Sequence, residues 1–344
     1  MTVIDLAPSF PYSAIIKYYR LSLGVRRGYY IRERYSMLSC DQLRERIRQT
    51  SAEKDVVKAL GLDIAPERLL AEASDQFIVR AFADGSLRSD TLLKKIHTRP
   101  IPEVGTQNID KKNMGYELNR AFWHAKAYTE FGDKYGKPFE TARAVLDFGC
   151  GTSRLLRYLV DFVPGPQYYG SEVNPENIAW GKKNYSEVNY VQHEPTPPIG
   201  CDDSAFDIIY AQSIFSHYAE SLHWKWLTEL HRILAPGGLL MITKEGRHLV
   251  ERCKSEPETF KRLGLDRQDA TSIWQRFDED GYAFYTRYRK DRLEVRGIDG
   301  DNWGTAFISE QYILKNWTSL FDILEQQEGA VGNRQDYVIM RRKG

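Results

Sequence analysis

Two closely spaced glycines and an acidic residue carry the clearest chemical signal in this sequence. Asp147 stands two positions before Gly149, and Gly151 follows, in the run Asp147-Phe148-Gly149-Cys150-Gly151. Glycines at this spacing allow a tight turn and a close approach of a ligand to the backbone. A carboxylate beside such a turn repels a pyrophosphate and suits a cation. The run therefore predicts a site for a positively charged small molecule.

The residues on either side of the turn predict the elements that position it. Val145 and Leu146 are typical of a buried strand. The apolar residues that follow recur at helical spacing and predict a helix: Leu155, Leu156, Leu159 and Val160. A strand, a glycine turn and a helix together form a cofactor-binding corner of an α/β sheet. The third glycine of the usual dinucleotide pattern is missing, since Arg154 occupies its place.

The same run resembles motif I of the class I S-adenosylmethionine-dependent methyltransferases, Asp-x-Gly-x-Gly-Thr-Gly, with Ser153 in the last glycine position. In that family the acid helps to hold the amino group of the methionine part, and the glycine backbone packs against the cofactor. The resemblance implies S-adenosylmethionine as cofactor, with contacts from Asp147, Gly149, Cys150, Gly151, Thr152 and Arg154. A generic strand-to-helix turn with incidental glycines is the alternative.

A second acidic residue fits the same cofactor. Residues 168–172 predict a strand ending in Glu172, which lies 21 residues after Gly151. An α/β cofactor site has a ribose-binding carboxylate at about this distance, and a carboxylate can accept hydrogen bonds from both ribose hydroxyls. The alternative is a solvated acid at a strand end. The resemblance also places Val173 against the adenine and adds Asn174 to the cofactor contacts.

The order of elements further along the chain continues the resemblance. Residues 206–211 predict a buried strand and residues 220–234 an amphipathic helix. The sequence Ala-Pro-Gly-Gly at 235–238 predicts the end of that helix, and residues 239–243 predict the next strand. This order is the second half of the family pattern, so the resemblance covers roughly residues 140–245.

The resemblance implies an α/β fold with a Rossmann-like, mostly parallel sheet of seven strands, one of them antiparallel, and helices on both faces. Residues 1–115 predict a helical N-terminal region, and residues 116–344 a methyltransferase domain. Residues 246–306 form an insertion after the fifth strand that we expect to cover the substrate. Its aromatic side chains suit either a sugar-binding surface or the core of a lid: Trp274, Phe277, Tyr282, Phe284, Tyr285, Tyr288 and Trp303.

Candidate catalytic residues follow the predicted strand at 206–211. Methyl transfer to a hydroxyl requires that its proton be removed. His217 lies near the carboxyl edge of the sheet and titrates near neutral pH, so we expect it to be the base. Its alternative role is to order its loop or to pack against the adenine. Glu245 is the second candidate base. Gln212 and Ser213 are expected under the sulfonium, and the Asn/Asp-Pro-Pro-Tyr signature of N-methyltransferases is absent at this position.

Metal and macromolecular partners are not favoured by the sequence. A hard cation prefers oxygen ligands of the kind carried by Asp299, Asp301 and Asn302. A turn in the insertion explains these residues better, so we predict no metal. The net charge of +1 gives no general attraction to nucleic acid. The stretch Lys17–Tyr35 mixes basic residues with tyrosines, which suits contact with a membrane surface or a polyanion. A solvated helix face with tyrosines packed beneath it is the alternative. Four scattered cysteines and the lack of a secretory signal predict a cytoplasmic protein.

The sequence therefore predicts methyl transfer from S-adenosylmethionine, with a hydroxyl of a sugar or glycan-linked small molecule as acceptor. The acceptor class follows a looser likeness, in residues 197–217 and 332–338, to bacterial methyltransferases of surface-glycan pathways. Two alternatives stay open. One is methylation of a protein or RNA, and the other is a binding or scaffold protein that kept the fold without catalysis.

Overall fold

The computed structural model describes residues 114–256, 258–259, 263, 267–286 and 301–344, with six further positions between 45 and 100. The chain divides into two compact units, residues 1–126 and 127–344. The predicted N-terminal helices and the Lys17–Tyr35 stretch lie outside the described residues, so the boundary at residue 115 stays a prediction. No helix in the described ranges has both the length and the apolar character to cross a bilayer.

Nine strands form one sheet in the described part of the chain. They are β1 (Ala144–Phe148), β2 (Gln167–Glu172), β3 (Val188–Gln192), β4 (Phe206–Ala211), β5 (Leu234–Glu245), β6 (Tyr282–Tyr285), β7 (Thr305–Ile308), β8 (Phe321–Val331) and β9 (Gln335–Arg342). The helices are α1 (Met114–Lys134), α2 (Leu156–Phe162), α3 (Pro175–Asn184), α4 (Glu220–Ile233), α5 (Arg247–Ser255), α6 (Arg267–Asp280) and α7 (Glu310–Asn316). The predicted α/β class with flanking helices is confirmed.

The sheet is mostly parallel. Strands β3, β2, β1, β4 and β5 lie side by side in that order and run in one direction. The other edge of β5 pairs with β9 in antiparallel register, and β8 pairs with β9. Strand β4 occupies its predicted residues, and α4 ends at Ile233, just before the predicted stop. Strand β5 begins earlier than predicted, because the Pro-Gly-Gly sequence bulges within it.

The prediction of seven strands with a single antiparallel one is wrong. Strands β6 and β7 form an additional antiparallel hairpin, and Phe307 of β7 pairs with Glu245 at the end of β5. The alternating side chains of β6 explain the pairing, since each face meets a different core. Tyr282 packs into the main core, whereas Ala283 packs into a second core beneath α5 and α6. Much of the aromatic content of the insertion is therefore structural.

The parallel strands bring the predicted site residues to one edge of the sheet. Asp147 of β1 pairs with Tyr210 of β4, and Glu172 ends β2 next to it. Glu245 ends β5, two strands from β1. Because the carboxyl ends of parallel strands meet at the same edge, residues far apart in the sequence share one site.

Candidate active site

The turn after β1 has the backbone that its glycines predict. Gly149 and Gly151 have φ values of 76° and 55°, in the left-handed region. The N–H groups of Gly149 and Cys150 both donate to the carbonyl of Ser171, each at 2.9 Å, which ties the turn to β2. A Cβ on Gly149 would lie 2.3 Å from Cδ1 of Ile214. The left-handed φ therefore favours glycine at this position, and the end of the Ile214 side chain would have to move to admit a Cβ.

Ser153 departs from the glycine of the motif, and the structure shows what the departure involves. Its φ is 64°, which glycine adopts readily and serine does not. Its hydroxyl lies 2.6 Å from the hydroxyl of Tyr190, and this hydrogen bond offsets part of the strain. Serine here therefore keeps the shape of the motif and adds a contact to β3.

We expect the substitutions Ser153→Ala and Ser153→Gly to have different effects on stability. Alanine keeps the left-handed strain and loses the hydrogen bond, so the free energy of unfolding should fall by about 1 kcal/mol. Glycine loses the same bond but relieves about 1–2 kcal/mol of strain, so it should stay within about 1 kcal/mol of the parent. Urea denaturation of both variants measures this; equal losses would show that the strain is not real.

Asp147 is positioned to meet a cation. Only 2% of the residue is exposed, and its Oδ2 atom has no hydrogen-bond partner among the described residues. Burial raises the pKa of Asp147 from 3.8 to about 8, although the hydroxyl of Tyr210 and the charge of Arg154 act in the opposite direction. A buried carboxylate oxygen of this kind is costly unless a donor meets it. The α-amino group of S-adenosylmethionine is such a donor, so the site fits the cofactor.

Glu172 has a structural role that the sequence did not reveal. Its Oε1 atom accepts from the N–H groups of Val173 (2.8 Å) and Asn174 (3.0 Å). Its Oε2 atom accepts from the N–H of Gly151 at 3.0 Å. The carboxylate thus joins the end of β2 to the glycine turn, and three of its roughly four acceptor positions are used. Ribose binding by Glu172 stays a prediction, with one acceptor position left for it.

The other predicted cofactor residues near the glycine turn differ in burial and in their hydrogen bonds. The Asn174 side chain accepts from the N–H of Glu176 at 2.8 Å and so caps α3, which commits its oxygen to the helix. Thr152 and Cys150 are buried, and burial raises the pKa of the Cys150 thiol. Arg154 is half-buried and interacts with the charge of Asp147. Contacts from these side chains to the cofactor stay predictions.

His193, directly after β3, is a neighbour of this site that sequence reasoning missed. Its ring stacks on Phe148 with a centroid distance of 5.4 Å and an angle of 13°. The backbone N–H of His193 donates to the backbone carbonyl of Glu172 at 3.3 Å. Burial lowers the pKa of His193, so the ring is neutral at physiological pH. Its position at the end of the next parallel strand was the signal available in the sequence.

A chain of neutral polar side chains follows the end of β4. The hydroxyl of Tyr128 in α1 donates to Oε1 of Gln212 at 2.9 Å. The hydroxyl of Ser213 donates to Oε1 of Gln335 at 2.9 Å, and Nε2 of Gln335 donates to the hydroxyl of Ser216 at 3.1 Å. Two distant segments, α1 and β9, therefore fix the orientation of the predicted site residues Gln212 and Ser213.

Thr243 of β5 also hydrogen-bonds to this network of side chains. Its hydroxyl oxygen accepts from the N–H of Ser213 at 2.7 Å. Ser213 has a φ of 58°, so this bond holds it in a left-handed conformation that serine rarely adopts. Strain of this kind persists only where surrounding contacts enforce it, and it often marks functional sites. Sequence reasoning identified Gln212 and Ser213 but not the Tyr128, Thr243 and Gln335 side chains that position them.

The candidate base His217 is held by the end of the insertion. Its Nδ1 atom lies 2.8 Å from the carbonyl oxygen of Gly304. Its ring stacks on Trp303, with centroids 4.9 Å apart and planes at 23°. Because a carbonyl oxygen can only accept, Nδ1 carries the hydrogen, and the neutral ring has its lone pair at Nε2. This arrangement is compatible with a base.

The second candidate, Glu245, is engaged differently. Its side chain is fully buried, and its Oε1 atom accepts from Nε of Arg334 at 2.8 Å and also from the Nη2 group of the same side chain. Next to it, Lys244 and Asp336 form a buried ion pair at 2.6 Å. A carboxylate held by a guanidinium is stabilised as the anion, and its Oε1 atom is committed to Arg334. The geometry therefore favours His217 over Glu245 as the base.

Within the described ranges, no group of three or more histidine, cysteine, aspartate or glutamate residues has the geometry of a metal site. Asp301 and Asn302 lie in the described residues and Asp299 does not. The carbonyl of Asn302 accepts from the N–H of Ala219 at 3.0 Å, so this segment has a structural role. That the protein needs no metal stays a prediction.

Comparisons with known proteins agree with this fold. Residues 146–242 match the family model "Methyltransferase domain". Two curated proteins are each 29% identical to parts of the chain: an uncharacterised protein of Rickettsia prowazekii over 110 residues and the demethylmenaquinone methyltransferase of Thermus thermophilus over 104 residues. These matches cover 31% and 29% of this chain and 44% and 46% of the relatives, so the chain spans less than half the length of the curated relatives it matches.

Among solved structures, the chain is similar to the PH0226 protein from Pyrococcus horikoshii, with 15% identity and a TM-score of 0.43, over 64% of this chain and 91% of that one. It is also similar to an S-adenosylmethionine-dependent methyltransferase from Clostridium acetobutylicum, with 13% identity and a TM-score of 0.43, over 69% and 94%. Residues 146–242 therefore resemble a methyltransferase domain, and the mostly parallel α/β sheet is that of the class I S-adenosylmethionine-dependent methyltransferase fold.

Proposed function

We propose that this chain transfers a methyl group from S-adenosylmethionine to a hydroxyl of a sugar or a glycan-linked small molecule. The observation that carries the cofactor part is the buried Oδ2 atom of Asp147 beside the left-handed glycine turn. The sulfonium of the cofactor is already activated, so the protein has to align the acceptor and remove its proton.

The acceptor part of the proposal rests on the groups after β4. Gln212 and Ser213 are neutral donors and acceptors and are only partly buried, which suits the hydroxyl groups of a sugar. His217 has its Nδ1 hydrogen directed to Gly304, so that Nε2 is the atom that takes the proton of the hydroxyl. Because Phe277 and Tyr282 are buried in the cores, we do not assign them to a sugar-binding surface. Trp303 is half-buried and stays a candidate for it.

Calorimetric titration with S-adenosylmethionine and S-adenosylhomocysteine, with NAD as the control ligand, tests the cofactor. Binding of both sulfur ligands and not of NAD supports the proposal. Failure to bind either would favour the alternative of a protein that kept the fold without catalysis. Incubation with labelled S-adenosylmethionine and separate pools of nucleotide sugars, quinones, RNA and protein then tests the acceptor. Label in the RNA or protein pool alone would contradict the small-molecule acceptor.

We expect the affinity for S-adenosylmethionine to rise with pH. The pKa of Asp147 is about 8 in the folded protein, so below pH 8 its carboxyl is mostly protonated and must lose that proton to pair with an ammonium group. The association constant should therefore increase by up to about tenfold per pH unit between pH 6 and pH 8. Calorimetry across this range measures it. Methylthioadenosine, which lacks the amino group, is the control and should bind independently of pH.

A further inference from the structure

The segment that returns from the insertion pairs with the loop that carries His217. Three backbone hydrogen bonds join residues 302–306 to residues 216–219. They run from Ala219 N to Asn302 O (3.0 Å), from Gly304 N to His217 O (2.8 Å) and from Ala306 N to Ser216 O (2.9 Å). Tyr218 and Trp303 form the antiparallel bridge between the two segments. The position of the loop is therefore set by the insertion and not by β4 alone.

Side chains add to this pairing at the same place. The buried hydroxyl of Tyr282 in β6 donates to the carbonyl of Tyr218 at 2.8 Å. The ring of Trp303 covers one face of the His217 ring. The carbonyl of Gly304 accepts from Nδ1 of His217 at 2.8 Å. The backbone, the ring plane and one nitrogen of His217 are thus all in contact with residues 303 and 304.

We propose that residues 302–304 are a positioning element that fixes His217 as the Nδ1–H tautomer and so directs the lone pair of Nε2 to the acceptor. This inference rests on the proposed function, in which His217 is the base. An imidazole in water prefers the opposite tautomer, with hydrogen on Nε2. A fixed carbonyl acceptor at Nδ1 reverses that preference, because the other tautomer would place two lone pairs against each other. The end of the insertion then completes the catalytic site.

Gly304 is the residue on which this arrangement depends. A Cβ at this position would lie 2.3 Å from the backbone carbonyl oxygen of Tyr285. That oxygen belongs to β6, which is paired with β7 and cannot give way easily. A side chain at 304 would therefore displace the segment and move its carbonyl away from His217. Gly200 offers a matched control, since a Cβ there would meet nothing within 4 Å.

The test is the tautomer of His217, read from the ¹⁵N chemical shifts of its imidazole ring at pH 8 in the full-length protein. The parent and Gly200→Ala should show the Nδ1–H tautomer. Gly304→Ala should show the Nε2–H tautomer or a mixture, and its turnover should fall by about tenfold to a hundredfold. The Nε2–H tautomer in the parent would overturn the proposal, and so would a Gly304→Ala variant that matches Gly200→Ala in both measurements.

A milder variant keeps the proposal testable where Gly304→Ala fails to fold. Tyr282→Phe removes only the hydroxyl that holds Tyr218, and turnover should fall by about twofold to tenfold. Tyr168→Phe is its control, because it removes another tyrosine hydroxyl that donates to a backbone carbonyl, at 2.7 Å, on β2. Equal turnover in the two variants would overturn the proposal. Failure of the proposed function is distinct: unchanged turnover in His217→Gln contradicts the base, whatever the tautomer of the parent.

Discussion

Asp147→Asn is expected to weaken the binding of S-adenosylmethionine by about a hundredfold or more while the protein stays folded. The substitution keeps the size of the side chain and removes its charge. A hydrogen bond between charged groups contributes about 1.5–3 kcal/mol, and loss of a buried charge partner costs about 3–5 kcal/mol. A loss of 2.7 kcal/mol already corresponds to about a hundredfold in the dissociation constant. Calorimetry on the purified variant measures the effect.

The matched control for this variant is Asp207→Asn. Asp207 lies near the start of β4, at the opposite edge of the sheet, where its carboxylate accepts from the backbone N–H of Arg143 at 2.7 Å. Its replacement should leave the affinity for the cofactor unchanged, although it removes the same charge. If Asp147→Asn bound S-adenosylmethionine as tightly as Asp207→Asn does, the assignment of the cofactor site to the β1 edge would be wrong.

Measurements of the free energy of unfolding show whether Asp147→Asn loses cofactor affinity through a lost contact or through misfolding. The pKa of Asp147 is raised from 3.8 to about 8 in the folded protein, so the folded state binds more protons than the unfolded state within this window. The parent therefore loses stability as the pH rises from 4 to 8, by at most about 1.4 kcal/mol per pH unit. Asp147→Asn has no such group and should gain stability relative to the parent over the same range. Urea denaturation at pH 5 and pH 8 without cofactor checks this sign.

The residues that were predictable from the sequence are those whose role depends on local spacing. The Asp147–Gly151 run, Glu172 and the strand at 206–211 depend on patterns within a few residues and on the rule that parallel strands end at one edge. Together these patterns were sufficient for the α/β sheet and for the placement of Asp147 and Glu172 at one edge of it.

The residues that were missed depend on contacts between distant segments. Tyr128 meets Gln212 across 84 positions, and Gln335 meets Ser213 across 122. Nothing in the local sequence of any of these residues indicates its partner. The β6–β7 hairpin was missed for a related reason. Tyr282 and its neighbours are apolar on both faces of a short strand, and the sequence does not show that a second core covers the outer face.

His217→Gln is expected to lower kcat by about a hundredfold to ten-thousandfold, the range over which general bases act. Glutamine can still donate to the carbonyl of Gly304 and approximates the size of the ring, but it has no nitrogen that accepts a proton at neutral pH. The affinity for S-adenosylmethionine should match that of the parent, since we assign the cofactor to Asp147 and the glycine turn. Initial rates with an acceptor from the pool that takes up label, together with calorimetry, separate the two effects.

The control for that variant is His231→Gln, because His231 lies on α4, where its ring contacts Phe321 with centroids 5.5 Å apart. It should keep the kcat of the parent. A fall in kcat confined to His217→Gln identifies the base, since both variants lose one imidazole. A fall in affinity for the cofactor without a change in kcat would instead assign His217 to loop ordering. In that case Glu245, held by Arg334 at the end of β5, becomes the remaining candidate base on this edge.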